Sequence, residues 1–197
     1  MSTAILLAAG SARRFGSQKL LARLPEGVCV IEATARKLLA TTPRVVAVVG
    51  ADQGVGRLLD AIGCEVVVNP RATEGMGTSI ACGVAQAPDA ASWLIALGDM
   101  PFAQVATLGA LLREGIESEH IVVPEHAGRR GHPVRFPGCV GDELRALGGD
   151  QGARRVLERH VDRTLVLRVD DPGVLADIDT PADLPVAPGA VAEGRGG

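Results

Sequence analysis

Aromatic side chains are nearly missing from this chain of 197 residues, which has one Trp, three Phe and no Tyr. Without stacked rings there is no platform for single-stranded nucleic acid, so no nucleic-acid partner is expected. The interior must instead be packed from Ala, Val, Leu and Ile. Long apolar runs are lacking too: none approaches the ~20 residues of a membrane-spanning helix, and no membrane partner is expected. Cysteine is sparse. Cys29, Cys64, Cys82 and Cys139 lie 35, 18 and 57 positions apart, never as CxxC, which excludes a zinc ribbon or a thioredoxin-type pair. The apolar stretch 4–9 is short, has no basic residue before it and runs into Gly10 rather than a cleavage site. Reduced thiols in the cytoplasm are therefore expected. The four histidines, His120, His126, His132 and His160, show no metal-ligand spacing.

What is present is an ordinary globular balance, 47% hydrophobic and 22% charged, in a length that suits one domain. The formal charge is −3, which makes the chain a poor general binder of polyanions. That charge is uneven. Residues 1–50 hold seven basic and two acidic side chains, so the other 147 carry a net −8. An anionic ligand would find its countercharge at the N-terminal end.

Short apolar runs alternate with helical spacings. Strands are expected over 3–8, 44–49, 64–68, 92–97, 121–124 and 163–169, with a strand or hairpin over 128–136. Helices are expected over 31–40, 55–62, 77–86, 142–147 and 151–159, and from the spacing of Val105, Leu108, Leu111, Leu112 and Ile116. Fully apolar strands separated by helices imply an α/β fold: a single-domain, Rossmann-like, mostly parallel sheet covered on both faces. The folded domain is expected to span 1–184. From Pro185 the sequence loses periodicity, and 185–197 reads as a disordered tail.

In open α/β sheets ligands bind beyond the carboxyl ends of the strands. After the first strand comes Leu7-Ala8-Ala9-Gly10-Ser11-Ala12-Arg13-Arg14-Phe15-Gly16, then Lys19. This is neither a Walker loop nor GxGxxG. It does offer glycines, backbone N–H groups and three cations, Arg13, Arg14 and Lys19, which together can hold a triphosphate. A solvated basic loop fits the same composition.

The stretch LAAGSARRFGSQKLL resembles the signature of the molybdenum cofactor cytidylyltransferase-like nucleotidyltransferases, relatives of the molybdenum cofactor guanylyltransferases. Four further segments follow in order: Gly75-Met76-Gly77-Thr78-Ser79, Leu97-Gly98-Asp99-Met100-Pro101, Arg130-Gly131-His132-Pro133-Val134 and Asp177-Ile178-Asp179-Thr180-Pro181. Gly149-Asp150-Gln151-Gly152-Ala153-Arg154 matches the cytidylyltransferase-like branch. The resemblance spans residues 3–184 and implies the nucleotide-diphospho-sugar transferase type of fold. It departs at Ala12, where such loops often carry Ser, so one hydroxyl contact to the nucleotide is in doubt. Ala9 stands where guanylyltransferase relatives typically have a second glycine, which implies CTP rather than GTP.

By that resemblance Lys19, Arg14 and Asp99 are the catalytic residues. Leu7, Ala8, Ala9, Gly10, Arg14, Lys19, Gly75, Met76, Gly77, Thr78 and Ser79 bind the nucleotide. Asp99 and Asp179 hold Mg²⁺, the implied cofactor, and Arg130, His132, Asp150 and Arg154 hold the acceptor. Each role has a plainer alternative. Asp99 before Met-Pro suits a helix N-cap, and Asp179 before Thr-Pro a turn or cap, with Asp177 close enough to exchange roles. Thr78 or Ser79 suits a cap of the helix that follows. Arg129, Arg130, His132 and Arg135 suit a solvated hairpin, and Asp150 and Arg154 an N-cap and an exposed helix charge.

The implied reaction is Mg²⁺-dependent transfer of a cytidylyl group from CTP to the phosphate of a molybdopterin-type cofactor, with release of pyrophosphate. A molybdoenzyme would be the recipient of the product. Two alternatives stay open: another phosphorylated acceptor such as a sugar phosphate, and a non-catalytic cofactor-binding chaperone. A dinucleotide-binding dehydrogenase lacks its glycine fingerprint here.

Overall fold

The computed structural model describes residues 1–10, 19–51, 53–114 and 119–185. Its strands are β1 (Ser2–Ala8), β2 (Val45–Val49), β3 (Glu65–Val68), β4 (Ser92–Leu97), β5 (Ile121–His126), β6 (Arg129–Arg130), β7 (Val134–Pro137) and β8 (Thr164–Arg168). The helices are α1 (Val30–Leu39), α2 (Gln53–Ala61), α3 (Met76–Gln86), α4 (Val105–Glu114), α5 (Gly141–Arg145) and α6 (Arg154–Arg159). The strands form one sheet in the order β3-β2-β1-β4-β7-β5-β6, with β8 beside β5. β1 pairs in parallel with β2 and β4, as do β2 with β3 and β5 with β8. Only β6 and β7 run the other way.

The expected architecture is borne out, and alternation explains it. Side chains of successive strand residues face opposite sides of the sheet. Ala4, Leu6 and Ala8 of β1 meet Ile31, Ala35 and Leu38 of α1, Leu59 of α2 and Leu108 and Leu111 of α4. Ile5 and Leu7 face the other layer, with Ile80 and Val84 of α3, Leu144 of α5 and Val156 of α6. The central strands β1, β2 and β4 are buried on both faces, so they read as nearly continuous apolar runs.

The irregular part lies between β5 and α6. The hairpin expected over 128–136 is split. Ala127 and Gly128, both at positive φ, turn the chain into the two-residue strand β6, and β7 then inserts between β4 and β5. Arg135 pairs in register with Leu94 and Val122, is buried at 3% exposure, and donates from Nη1 to the His120 carbonyl. It is therefore parted from exposed Arg129 and Arg130, because alternation turns it into the sheet layer. α6 begins at Arg154, after turns over 151–153, rather than at Gln151. Beyond Pro185, the expected tail lies outside the described residues.

All four cysteines are free thiols. Cys64 is buried beside β3, and burial pushes its thiol up to about 11, whereas Cys139 is exposed. The thiolate is the reactive form. A maleimide at about pH 8 is accordingly expected to label Cys139 in the native protein and Cys64 only after unfolding. Equal labelling rates, read by mass spectrometry of the peptides, would refute the buried placement of Cys64.

Candidate active site

The carboxyl ends of β1 and β4 open onto a cleft of about 540 Å³, lined by Leu7, Ala9, Gly10, Ala72, Thr73, Gly75, Met76, Ser79, Leu97, Asp99 and Asp150. Beside it lies a pocket of about 170 Å³ whose walls include Ile80, Ile95, Phe136, His132, Arg154 and Leu157. Leu7, Met76, Leu97 and Asp150 line both, so the two spaces adjoin across these four side chains.

Three charged groups meet at the end of β4. β4 stops at Leu97, Gly98 donates its N–H to the Leu7 carbonyl, and Asp99 follows directly. The Asp99 carbonyl accepts from the Ile178 N–H at 2.9 Å. Ile178 is fully buried against Leu24 and Val30, and this anchor carries Asp179 to the end of β4. Lys19 opens a short 3₁₀ turn, Lys19–Leu21, held by Leu20 and Leu21 against the sheet's first core. Its Nζ lies 2.8 Å from Asp99 Oδ2 and 2.7 Å from Asp179 Oδ1. Burial opposes the charge on Lys19, yet the hydrogen bonds to Asp179 and Asp99 outweigh it and hold the ammonium pKa above its ordinary value.

This geometry removes the capping alternative for both acids. No helix starts at Asp99 or Pro101, since α4 begins at Val105. The cap of the 3₁₀ turn Pro181–Asp183 is Thr180, which leaves Asp179 to face Lys19. Asp177 is exposed and takes no part in this ion pair. Asp99 Oδ1 is buried and has no hydrogen-bond partner among the described residues. Two carboxylates, one with an unused buried oxygen, suit a hard divalent cation that draws its other ligands from water and phosphates. No group of three or more His, Cys, Asp or Glu residues gathers to hold a metal among the described residues.

The turn between β3 and α3 forms one wall of the cleft. Gly75, at φ 123° and ψ 170°, precedes Met76, the first residue of α3. The Gly77 N–H donates to the Gly149 carbonyl at 2.9 Å, which seats the 148–150 loop on this turn and puts Asp150 in the cleft. Thr78 does not cap α3 and does not line the cleft. It is buried within the first turn, its hydroxyl 2.9 Å from both the Gly75 and the Arg71 carbonyl, one of which takes its proton, while it accepts from Asn69 Nδ2. Asn69 Nδ2 also donates to Ser79 Oγ at 3.0 Å, and Asn69 Oδ1 accepts from the Arg71 N–H.

Of the nucleotide residues expected from sequence, Leu7, Ala9, Gly10, Gly75, Met76 and Ser79 line the cleft, while Ala8, Gly77 and Thr78 do not, and Lys19 reaches it only through its contact with the lining residue Asp99. Arg14, like Arg13 and Ala12, lies outside the described residues. Of the expected acceptor residues, His132, Asp150 and Arg154 share the smaller pocket. Arg130 stands apart on the exposed β6, as the solvated-hairpin alternative requires. Asp150 is no N-cap, because that position of α6 belongs to Ala153. Arg154 is the exposed helix charge of its alternative and pairs with Glu158, yet it also borders the pocket. His132 is half-buried at the pocket wall; desolvation lowers its pKa, with Asp99 and Asp177 acting in the opposite sense.

A model of the MobA-like NTP transferase domain matches residues 4–164, from β1 to the first residue of β8. The chain belongs to the MobA-like NTP transferase family. It is similar to the purine catabolism protein PucB of Bacillus subtilis, 30% identical over 193 residues covering 91% of this chain and 92% of that protein. It is equally similar, 30% over 193 residues, to the nicotine blue oxidoreductase of Paenarthrobacter nicotinovorans, covering 90% of this chain and 92% of that one. Among solved structures, Rv0371c of Mycobacterium tuberculosis superposes with a TM-score of 0.79 at 30% identity, covering 92% of this chain and 94% of that one. A manganese complex of the same protein superposes with a TM-score of 0.71 at 28% identity, covering 92% and 95%. This MobA-like protein is thus a nucleotidyltransferase. The family match ends before Asp177 and Asp179, so the meeting of Asp179 with Lys19 rests on the fold alone.

Proposed function

We propose that the protein catalyses Mg²⁺-dependent transfer of the cytidylyl group of CTP to the phosphate of a molybdopterin-type cofactor, releasing pyrophosphate. The observation that carries this reading is the pair of adjoining cavities with Lys19, Asp99 and Asp179 at the strand end. The cleft has room for a nucleotide between the β1 loop and the Gly75–Gly77 turn. The pocket behind Asp150 receives the acceptor, with His132, Asp150 and Arg154 around it.

A phosphate oxygen of the acceptor attacks the α-phosphorus of CTP, the bond to the bridging oxygen breaks, and pyrophosphate leaves. The attacking group already carries its negative charge, so no protein nucleophile or base is required. The protein supplies alignment and charge. Lys19 neutralises phosphate oxygens, and Asp99 and Asp179 would hold Mg²⁺. When bound, the metal ion supplies positive charge to the phosphates in the transition state. Asn69 acts at a distance by fixing Thr78 and Ser79, and thus the start of α3.

Ala9 lines the cleft next to Gly10. Its methyl takes up volume that a purine needs, and well-packed sites tolerate little extra volume. CTP is therefore expected to be used in preference to GTP, with Ala9→Gly narrowing the gap. The decisive assay incubates the protein, Mg²⁺ and molybdenum cofactor with CTP, GTP, ATP or UTP and measures pyrophosphate. Equal turnover of GTP and CTP would refute the base assignment while leaving nucleotidyl transfer in place. Pyrophosphate release with sugar phosphates but not with the cofactor would overturn the acceptor. Cofactor binding without any pyrophosphate would favour a carrier that delivers cofactor to a molybdoenzyme. The likeness to nicotine blue oxidoreductase motivates one further arm, oxidation of reduced nicotinamide nucleotides, for which no activity is expected.

A further inference from the structure

We propose that in the nucleotide-free protein Lys19 acts as the resident cation of the Asp99–Asp179 pair, so that a divalent ion enters this site only together with the nucleotide. This rests on the metal reading above and adds an order of events to it. The ammonium contacts one oxygen of each carboxylate, at 2.8 and 2.7 Å. With its side chain only 11% exposed, it is enclosed rather than waving in solvent. A divalent ion would need oxygens of this same pair, at 2.0–2.1 Å for Mg²⁺. It would arrive within a few ångströms of a positive charge already in place, and like charges this close repel strongly in a partly buried setting.

The ammonium has somewhere to go. It stands on a flexible four-carbon stem beside the nucleotide cleft, and a triphosphate offers several anionic oxygens in exchange for two carboxylates. A nucleotide that arrives carrying its metal ion would allow the exchange in one event: Lys19 turns to the phosphates, and Asp99 and Asp179 are left to hold the ion. Asp99 Oδ1, which has no hydrogen-bond partner among the described residues, would then be available to the incoming ion.

Mn²⁺ binding without nucleotide, followed by electron paramagnetic resonance, tests this in the intact protein. The wild type and Lys19→Arg are expected to bind Mn²⁺ weakly. Lys19→Met, which keeps the stem and loses the charge, should bind about tenfold tighter or more. Adding Asp99→Asn to Lys19→Met should abolish that gain. A second measurement avoids reliance on the resonance signal: Mn²⁺ should raise the melting temperature of Lys19→Met and leave that of the wild type unchanged. Wild-type protein that binds Mn²⁺ alone as tightly as Lys19→Met would overturn the proposal. A parallel arm with CTP separates this failure from that of the metal reading. Mn²⁺ held by the wild type with CTP, and lost in Asp99→Asn, keeps the metal site even if the order of entry fails. Absence of any Asp99-dependent Mn²⁺ binding, with or without CTP, overturns both.

Discussion

Replacing Asp99 by Asn is expected to lower the rate of nucleotidyl transfer by about 10²-fold or more when Mg²⁺ is limiting. The substitution keeps the shape of the side chain and removes its charge. Asp99 Oδ2 anchors Lys19, and Oδ1 is buried with no hydrogen-bond partner among the described residues, so the substitution would weaken the hold on Lys19 and the proposed metal ligand together. Metal charge is worth several kcal/mol in a transition state of this kind, and each ~1.4 kcal/mol is about tenfold in rate. The fold should be untouched, because the link from Asp99 to the C-terminal segment runs through its backbone carbonyl to the Ile178 N–H. A large excess of Mg²⁺ should recover part of the loss by refilling a weakened site. Steady-state pyrophosphate release across a Mg²⁺ titration measures this. Wild-type rates at limiting Mg²⁺ would remove Asp99 from the metal site.

The ends of β1 and β4 were legible in the sequence for a simple reason. A strand buried on both faces must be apolar throughout, so the first polar or glycine residue marks its end. Leu7-Ala8-Ala9-Gly10 and Leu97-Gly98-Asp99 follow that rule, and the cleft lies where those runs stop. At the partly exposed edge strand β3 the apolar run Val66-Val67-Val68 likewise stops at Asn69, a buried polar residue that organises the start of α3. Thr78 has the pattern of a cap because hydroxyl residues favour helix starts, yet here a glycine at positive φ opens the helix three residues earlier. Local pattern could not bring Asp179 to Lys19 across 160 positions of sequence. That meeting depends on Ile178 filling a small apolar site beside Leu24 and Val30, a tertiary fact with no periodic signature. Arg135 shows the same limit: its basic neighbours suggest a charged surface, but strand alternation buries it.

Gly75→Ala is expected to damage both cavities at once. The φ of 123° with ψ of 170° lies in a region open essentially to glycine alone, and forcing another residue there costs about 1–3 kcal/mol. Space is the second obstacle. A Cβ at Gly75 would run into the backbone carbonyl of Gly149 and the carboxylate of Asp150. Gly77 is pressed in the same way, with the Gly148 carbonyl oxygen 2.7 Å from where a Cβ would stand. The 148–150 loop must therefore lift, which breaks the bond from the Gly77 N–H to the Gly149 carbonyl and withdraws Asp150 from both cavity walls. Strain and a lost hydrogen bond together amount to about 2–4 kcal/mol. For a chain of this length that corresponds to a fall in melting temperature of roughly 5–15 °C. Because Asp150 borders both cavities, KM should rise for the two proposed substrates even where the variant is fully folded. Gly148→Ala is the internal control: nothing lies within 4 Å of its added Cβ, and a change of no more than ~0.5 kcal/mol is expected. Thermal melts and KM values of the two variants decide the matter. Gly75→Ala protein as stable and as active as Gly148→Ala would show that the loop over α3 is not the wall shared by the two cavities.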